Sequence, residues 1–262
     1  MSYVEPHRML ATTEPVTIPT ACHDGWSVAF LLTGTTPLSE RRLCIIGCCL
    51  GGGWFRPPTD FSDQMVILLL MPKPKHYSIV DIPYKKGKSE TWYADWNTGA
   101  VTLYKNLVRQ LFSMGVSSQS PVFFGVSAGI LSTMVLLTSL MNDTTVQMTT
   151  PMAVFIAGAW HPKAHPEFRE AVESSAPCAR PQVFVANHSK DWHCSWTEQE
   201  AFWNHLDENY SNLLLVVLNY EGSAAAELFG NYHDVGSRIA ASTHFWKCLL
   251  DKKIDRAANF RC

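Results

Sequence analysis

The chain carries little net charge and no cluster of charge of one sign. Its 262 residues have a formal net charge of −2, and 17% of them are charged. No run of basic residues occurs, so the sequence lacks the pattern of a protein that binds nucleic acid or an anionic membrane surface. The hydrophobic fraction of 47% is ordinary for a globular protein with a substantial core.

Long hydrophobic runs are also missing. The apolar run at residues 65–71 is far too short to span a bilayer. The first residues, MSYVEPHRMLATTEP, contain acidic residues and proline but no apolar centre, which is unlike a secretory signal. We therefore expect a soluble, cytoplasmic protein without a membrane span.

The eight cysteines do not form the pattern of a disulfide framework. Cys44, Cys48 and Cys49 fall within one apolar segment, where neighbouring side chains point to opposite faces of a strand. In a chain of this length, such cysteines are typical of reduced, buried, small hydrophobic residues.

Apolar segments rich in β-forming residues alternate with amphipathic segments. Continuous apolar runs are typical of strands buried on both faces of a parallel sheet. Strands are predicted at residues 26–32, 42–49, 77–82, 121–124, 152–157, 182–186 and 213–218, and helices at 98–112, 128–140, 195–206 and 231–250. The alternation predicts one α/β domain over residues 1–262, with a mostly parallel, doubly wound sheet of about 7–8 strands. The first strands can be antiparallel, and residues 1–16 are expected to form a loosely ordered arm.

The segment GVSAG at residues 125–129 follows the predicted strand PVFF and opens a predicted helix. Side chains at Gly125 or Gly129 would collide with neighbouring elements in so tight a turn. The turn would hold Ser127 at the carboxyl end of the sheet, beside a helix N-terminus that favours developing negative charge. A nucleophilic serine is favoured over an inert turn serine.

A nucleophilic serine needs a base and a group that orients the base. Asp191 lies in the loop after the strand QVFVA, and His233 lies after the next strand, just before the last predicted helix. Ser127, Asp191 and His233 then follow in the order Ser, Asp, His. A surface aspartate and a surface or helix-capping histidine are the alternatives.

These motifs together resemble the α/β-hydrolase superfamily over residues 17–250. GVSAG resembles the nucleophile elbow, especially the GDSAG form of hormone-sensitive-lipase-like esterases. LGGGW at residues 50–54 resembles the HGGGW oxyanion loop of that group, and HYSIVDIPYKKG resembles its next strand and turn. Leu50 and Val126 depart from the pattern, which usually has histidine and aspartate there. The resemblance implies that backbone N–H groups of Gly51 or Gly52, and of Ala128, form an oxyanion hole.

Aromatic residues follow several predicted strands at the edge where a substrate cleft is expected. The candidate substrate-binding residues are Trp54, Phe55, Trp160 and Trp192. The segment between the predicted strands ending near residue 157 and starting at residue 182 has room for a loop and one helix. A large helical lid is therefore not expected there.

Other kinds of site are less well matched. His188, Asp191, His193 and Cys194 lie close together but do not match a compact metal-ligand pattern. LGGGW lacks the spacing of the known phosphate-binding loops.

The resulting hypothesis is a serine hydrolase that cleaves a carboxylic ester or thioester, a small-molecule substrate, without cofactor or metal. An acyltransferase with the same three residues, or a non-catalytic ligand-binding protein on this fold, remain alternatives, and the oligomeric state is not indicated.

Overall fold

The computed structural model describes residues 28–32, 36–47, 64–70, 101–127, 129–158, 160–188, 191, 196–210, 213–218 and 243–251. Seven strands and five α-helices lie in these ranges. The strands are β1 (Val28–Leu32), β2 (Arg42–Gly47), β3 (Met65–Leu70), β4 (Ser117–Val126), β5 (Met152–Ile156), β6 (Gln182–His188) and β7 (Leu213–Leu218). The α-helices are α1 (Val101–Ser113), α2 (Gly129–Met141), α3 (Ala164–Ser174), α4 (Trp196–Asn209) and α5 (Thr243–Leu250), and a short 3₁₀ helix covers Leu38–Glu40.

The described strands form one sheet in the order β1-β3-β2-β4-β5-β6-β7. The strand β1 is antiparallel to β3, and every other neighbouring pair is parallel. This arrangement confirms the predicted mostly parallel α/β sheet. Since parallel strands end at the same edge, the segments that follow β4, β5 and β6 leave the sheet side by side.

Several predicted bounds differ from the structure. The strand β3 was not predicted, because a short apolar run such as residues 65–71 has no periodicity that distinguishes a strand from a buried helix segment. Strand β4 begins at Ser117, four residues before the predicted start, and its pairing with β2 shifts register between Arg42 and Cys44. The predicted strand at residues 77–82 lies outside the described residues, as does the N-terminal arm at residues 1–16.

Helices cover both faces of the sheet. On one face α2 is buried nearly all round, and it contacts α1, α3, β2 and β4. A helix that is apolar on all sides is stable only when other elements surround it. On the opposite face, Phe124 of β4 contacts Phe245 and Trp246 of α5, with ring centroids 6.4 and 5.0 Å away. The sheet is therefore doubly wound, as predicted.

The segment between β5 and β6 contains one helix, α3, as the spacing predicted. None of the helices in the described ranges is long and apolar enough to cross a membrane.

Cys44 is a free, buried cysteine, and burial raises the pKa of its thiol far above the usual range. Its predicted role as a small core residue is confirmed, whereas Cys48 and Cys49 lie outside the described residues.

A charged cluster ties α1 to the turn after α2. The carboxylate of Asp143 accepts hydrogen bonds from Lys105 Nζ at 2.8 Å and from Arg109 Nη2. It also accepts from the backbone N–H and the hydroxyl of Thr145, at 3.0 and 2.6 Å. The Asp143 side chain is only 6% exposed. Hydrogen bonds from Lys105 and then Thr145 hold the pKa of this carboxyl well below its usual range.

Replacement of this carboxylate should lower stability in a pH-dependent way. We expect Asp143→Asn to reduce the free energy of unfolding at pH 7 by about 2 kcal/mol, because hydrogen bonds to a charged acceptor are lost. A lowered pKa in the folded state contributes stability above the unfolded-state pKa of about 3.9, and this contribution is lost as the pH falls further. Urea unfolding should therefore show a smaller difference between the two proteins at pH 3 than at pH 7. An equal difference at both pH values would contradict this account.

Candidate active site

A very short turn joins β4 to α2. Strand β4 ends at Val126 and α2 begins at Gly129, so two residues make the connection. Ser127 has a φ of 56°, in the left-handed region that residues other than glycine rarely adopt. Its N–H donates to the carbonyl of Ile156 at 3.0 Å, and its carbonyl accepts from the N–H of Ile130 at 3.0 Å. Hydrogen bonds on both sides thus hold a strained serine that is half-buried.

Two glycines allow the turn because α2 approaches the sheet so closely. A Cβ atom at Gly125 would lie 2.6 Å from Ile130 Cα and 2.6 Å from Thr133 Oγ1. A Cβ atom at Gly47 of β2 would overlap the carbonyl group of Gly129. The predicted steric need for Gly125 is confirmed, whereas Gly47 was not identified from the sequence. The crowding predicted for a side chain at Gly129 itself remains a prediction.

The first turn of α2 lies directly behind Ser127. The hydroxyl of Thr133 donates within this turn, to the carbonyls of Gly129 and Ile130 at 3.0 and 2.9 Å. Helix α2 has 13 residues, and its N-terminus carries the partial positive charge of the helix dipole. Negative charge that develops beside Ser127 would therefore be stabilised.

Asp191 lies three residues beyond the end of β6 and is 4% exposed. The alternative of a surface aspartate is therefore wrong. The register aligns Val126 with Ile156, and Ile156 with Ala186, so β6 is two strands away from β4. Neighbouring strands are about 4.8 Å apart, so the exits of β4 and β6 are about 10 Å apart. Ser127 and Asp191 thus follow strands that end at the same edge of the sheet.

The other predicted site residues fall mostly outside the described ranges. These are the base, the oxyanion donors and three of the aromatic residues, namely His233, Gly51, Gly52, Ala128, Trp54, Phe55 and Trp192. Trp160 is described and half-buried. Its ring lies 4.4 Å from that of His165 and 5.7 Å from that of Phe202. It packs between α3 and α4, and its predicted role in substrate binding stays a prediction.

Two buried histidines lie at the start of α3, His161 before the helix and His165 within its first turn. His161 Nδ1 accepts hydrogen bonds from the N–H groups of Lys163 and Ala164, both at 3.2 Å, and so satisfies two backbone donors at the start of α3. His165 is fully buried, and burial lowers its pKa to about 3, so it is neutral near pH 7. Within the described ranges, no group of three or more His, Cys, Asp or Glu residues is placed to hold a metal ion.

A buried polar cluster near this edge was not predicted from the sequence. The amide side chains of Asn187 and Gln199 bond to each other and to the backbone of Gly158. Asn187 is the one signal that was available, because it is an amide at the end of the apolar strand QVFVANH. Gln199 gave no such signal, since a glutamine in an amphipathic helix is normally exposed.

A small cavity lies at the opposite edge of the sheet. Its volume is about 90 Å³, and its lining includes Arg180, Tyr210, Val183 and Leu213. Val183 and Leu213 lie at the amino ends of β6 and β7, whereas Ser127 follows the carboxyl end of β4. This cavity is therefore separate from the candidate active site.

Comparisons with known proteins find similarity at the level of structure. No protein-family model matches the chain, and no curated protein sequence matches it. A thermostable esterase has 11% identity and a TM-score of 0.55, covering 86% of this chain and 59% of the longer esterase chain. Esterase 2 of the planctomycete Thermogutta terrifontis has 15% identity and a TM-score of 0.49, covering 89% of this chain and 90% of that one. An α/β hydrolase from a deep-sea metagenome library of the Medee basin has 15% identity and a TM-score of 0.49, covering 89% and 96%.

The thermostable esterase superposes on most of this chain, with a TM-score of 0.55. Identity this low establishes the fold alone. The chain has the α/β-hydrolase fold, with a mostly parallel sheet flanked by helices on both faces.

The close approach of α2 to β4 can be tested at Gly125. We expect Gly125→Ala to lower the free energy of unfolding by about 1–3 kcal/mol, because the added Cβ must displace backbone atoms of Ile130. Hydrogen exchange at the Ile130 amide should become faster. Gly115→Ala is the control, since nothing lies within 4 Å of its added Cβ although its φ is 98°. It should cost stability without faster exchange at Ile130, and unchanged exchange in Gly125→Ala would contradict the close approach.

The strain at Ser127 can be tested with a matched pair. Ser127→Gly and Ser127→Ala both remove the hydroxyl, but glycine adopts a positive φ at little cost. We expect Ser127→Gly to be more stable than Ser127→Ala by about 1 kcal/mol, measured by urea unfolding. If the alanine variant is the more stable one, Ser127 does not hold a left-handed conformation.

Proposed function

We propose that this chain is a serine hydrolase that cleaves a carboxylic ester or a thioester through an acyl-enzyme intermediate. The observation that carries the proposal is the left-handed Ser127 in a two-residue turn between a buried strand and a helix. A serine in the left-handed region needs a reason, because glycine adopts this conformation without the steric strain that a serine side chain causes. Presentation of a nucleophile above the sheet is such a reason.

The proposed reaction begins with attack by Ser127 Oγ on the acyl carbon. His233 accepts the serine proton and then gives it to the leaving alcohol or thiol. Water, deprotonated by His233, attacks the acyl-enzyme and releases the acid, and the proton returns to Ser127. Each step exchanges one bond to the acyl carbon and one proton, so neither cofactor nor metal is required.

Asp191 is proposed to orient His233 and to stabilise its imidazolium form. The burial of Asp191 at the carboxyl edge supports this role over that of a solvent-exposed turn residue. A carboxylate removed from water interacts more strongly with a nearby positive charge than an exposed one does. His233 itself is assigned from its place in the sequence.

The negative oxygen of the tetrahedral intermediate would be bound by backbone N–H groups. The proposed donors are Ala128, directly after the nucleophile, and Gly51 or Gly52, in the segment that follows β2. The position of β2 next to β4 supports this assignment, because Gly47 pairs with Gly125 and both strands end beside the turn. Loss of one such donor typically costs about 10²–10³ in rate.

The substrate is proposed to be a small acyl ester or thioester. The aromatic residues Trp54, Phe55, Trp160 and Trp192 are the candidates for contacts with its apolar group. The thermostable esterase that shares this fold makes simple esters the first substrates to test. A panel of p-nitrophenyl esters and thioesters of varied chain length would rank acyl groups and leaving groups.

Loss of the nucleophile should abolish turnover. We expect Ser127→Ala to lower kcat/KM for the best ester of the panel by a factor of about 10³ or more. A fluorophosphonate probe should label the wild-type chain at Ser127 and should not label the variant. Peptide mapping by mass spectrometry would locate the label.

Ser132→Ala is the matched control. Ser132 is a buried serine of the same helix, α2, and its loss should change neither labelling nor turnover. Full activity in a folded Ser127→Ala protein would refute the proposal. Labelling of Ser127 without hydrolysis of any ester or thioester would instead favour transfer to an acceptor other than water, or ligand binding without catalysis.

A further inference from the structure

Two buried amide side chains and one backbone residue form a closed ring of hydrogen bonds beside the candidate active site. The N–H of Gly158 donates to Asn187 Oδ1 at 2.7 Å, and Asn187 Nδ2 donates to Gln199 Oε1 at 3.2 Å. Gln199 Nε2 then donates to the carbonyl of Gly158 at 2.7 Å. Asn187 is 2% exposed and Gln199 is 0% exposed, so both amides are almost fully shielded from water.

The ring joins the two ends of the segment that carries Asp191. Asn187 is the second-last residue of β6, and Gln199 lies in the first turn of α4. Asp191 lies between them, four residues after Asn187 and eight before Gln199. A loop whose ends bond directly to each other has far less freedom than one that is held only by the elements it connects. The ring therefore restricts where Asp191 can lie.

The third member of the ring connects this loop to the turn of Ser127. Gly158 follows β5, whose last residue, Ile156, accepts the hydrogen bond from the Ser127 N–H. A Cβ atom at Gly158 would lie 3.0 Å from Ile130 Cδ1 and 3.2 Å from Gln199 Oε1. Gly158 is thus enclosed between α2 and the amide of Gln199. A displacement of Gln199 would therefore disturb the backbone of Gly158, two residues from the acceptor of the Ser127 N–H.

Each amide group in the ring has one orientation, with its oxygen and its NH₂ group in fixed positions. The indole N–H of Trp203 donates to Gln199 Oε1 at 3.0 Å, and this contact sets which end of the amide carries the oxygen. Asn187 must then present its NH₂ group to Gln199 and its oxygen to Gly158. A carboxylate at either position would place two acceptors against each other in a buried site, which is costly.

We propose that Asn187 and Gln199 are positioning residues, which hold Asp191 in register with Ser127 through the backbone of Gly158. The inference rests on the proposed function, because it assigns Asp191 a role in catalysis. Neither amide contacts the substrate in this proposal. Their effect on the reaction passes entirely through the placement of Asp191.

The test compares kinetics and stability in variants of nearly equal size. Asn187→Asp removes one donor from the ring, and Gln199→Met removes both polar groups while it keeps the length of the side chain. We expect each to lower kcat for the best ester by about 10–100-fold, because displacement of a reacting group by about 1 Å can cost 10²-fold. KM should change by less than about threefold, since substrate contacts are not altered.

Non-additivity with Asp191 separates positioning from general destabilisation. In the Asp191→Asn protein, Asn187→Asp should lower kcat further by less than about threefold, because the group it positions is already lost. Asp143→Asn is the control, as the same kind of near-isosteric exchange at a partly exposed hydrogen-bonded carboxylate in the turn after α2. It should lower stability and leave kcat unchanged.

The results distinguish failure of the proposed function from failure of the positioning role alone. If the wild-type chain hydrolyses no ester or thioester, or if Ser127→Ala is fully active, the proposed function fails, and the positioning role fails with it. If turnover depends on Ser127 but the losses from Asn187→Asp and Asp191→Asn multiply, the positioning role alone is wrong. If both ring variants unfold, as judged by circular dichroism, the ring serves folding and the positioning role is likewise overturned.

Discussion

The contact between the first turn of α2 and the strands β2 and β4 is the constraint on which the site depends. Gly47 and Gly125 have no Cβ atom, so backbone atoms of α2 can approach them where a side chain would overlap. The helix can therefore begin with only two residues between it and the end of β4, and the chain at Ser127 turns through a left-handed conformation. The energy that this strain costs is offset by burial of α2, which is apolar on nearly every side.

The parallel sheet brings distant segments together at one edge. Hydrogen bonds link Ser127 to Ile156 and Ala157 to Ala186, so the exits of three strands are joined backbone to backbone. Beyond them, Asp191 is buried and the amides of Asn187 and Gln199 satisfy each other around Gly158. Buried polar groups of this kind are costly unless fully paired, and for that reason such a cluster can define one loop geometry.

The pattern of apolar residues in the sequence was sufficient to predict most strands of the sheet. Continuous Val, Ile, Leu and Phe runs predicted β2, β5, β6 and β7, because strands buried on both faces need no polar alternation. The strand β3 was missed for the same lack of polar alternation, since a short apolar run has no periodicity that identifies it as a strand. The polar start of β4, SSQS, was missed because its pairing passes through an irregular register next to β2. The sequence predicted Trp160 at a cleft but not its packing on His165 of α3 and Phe202 of α4, because these three residues meet only in the folded chain.

By itself, the sequence determined the fold class and the place of the candidate nucleophile, because both depend on neighbouring residues. An apolar strand, two glycines around a serine and an apolar helix are all contained in residues 121–140. Only the tertiary structure decided that Asp191 is buried, that Gly47 must be a glycine and that Asn187 meets Gln199 and Gly158. The partners in these contacts are far apart in the chain, as with Gly158 and Gln199, which are 41 residues apart. No local pattern encodes such a contact, since it exists only once the strands have paired and the helices have packed on them.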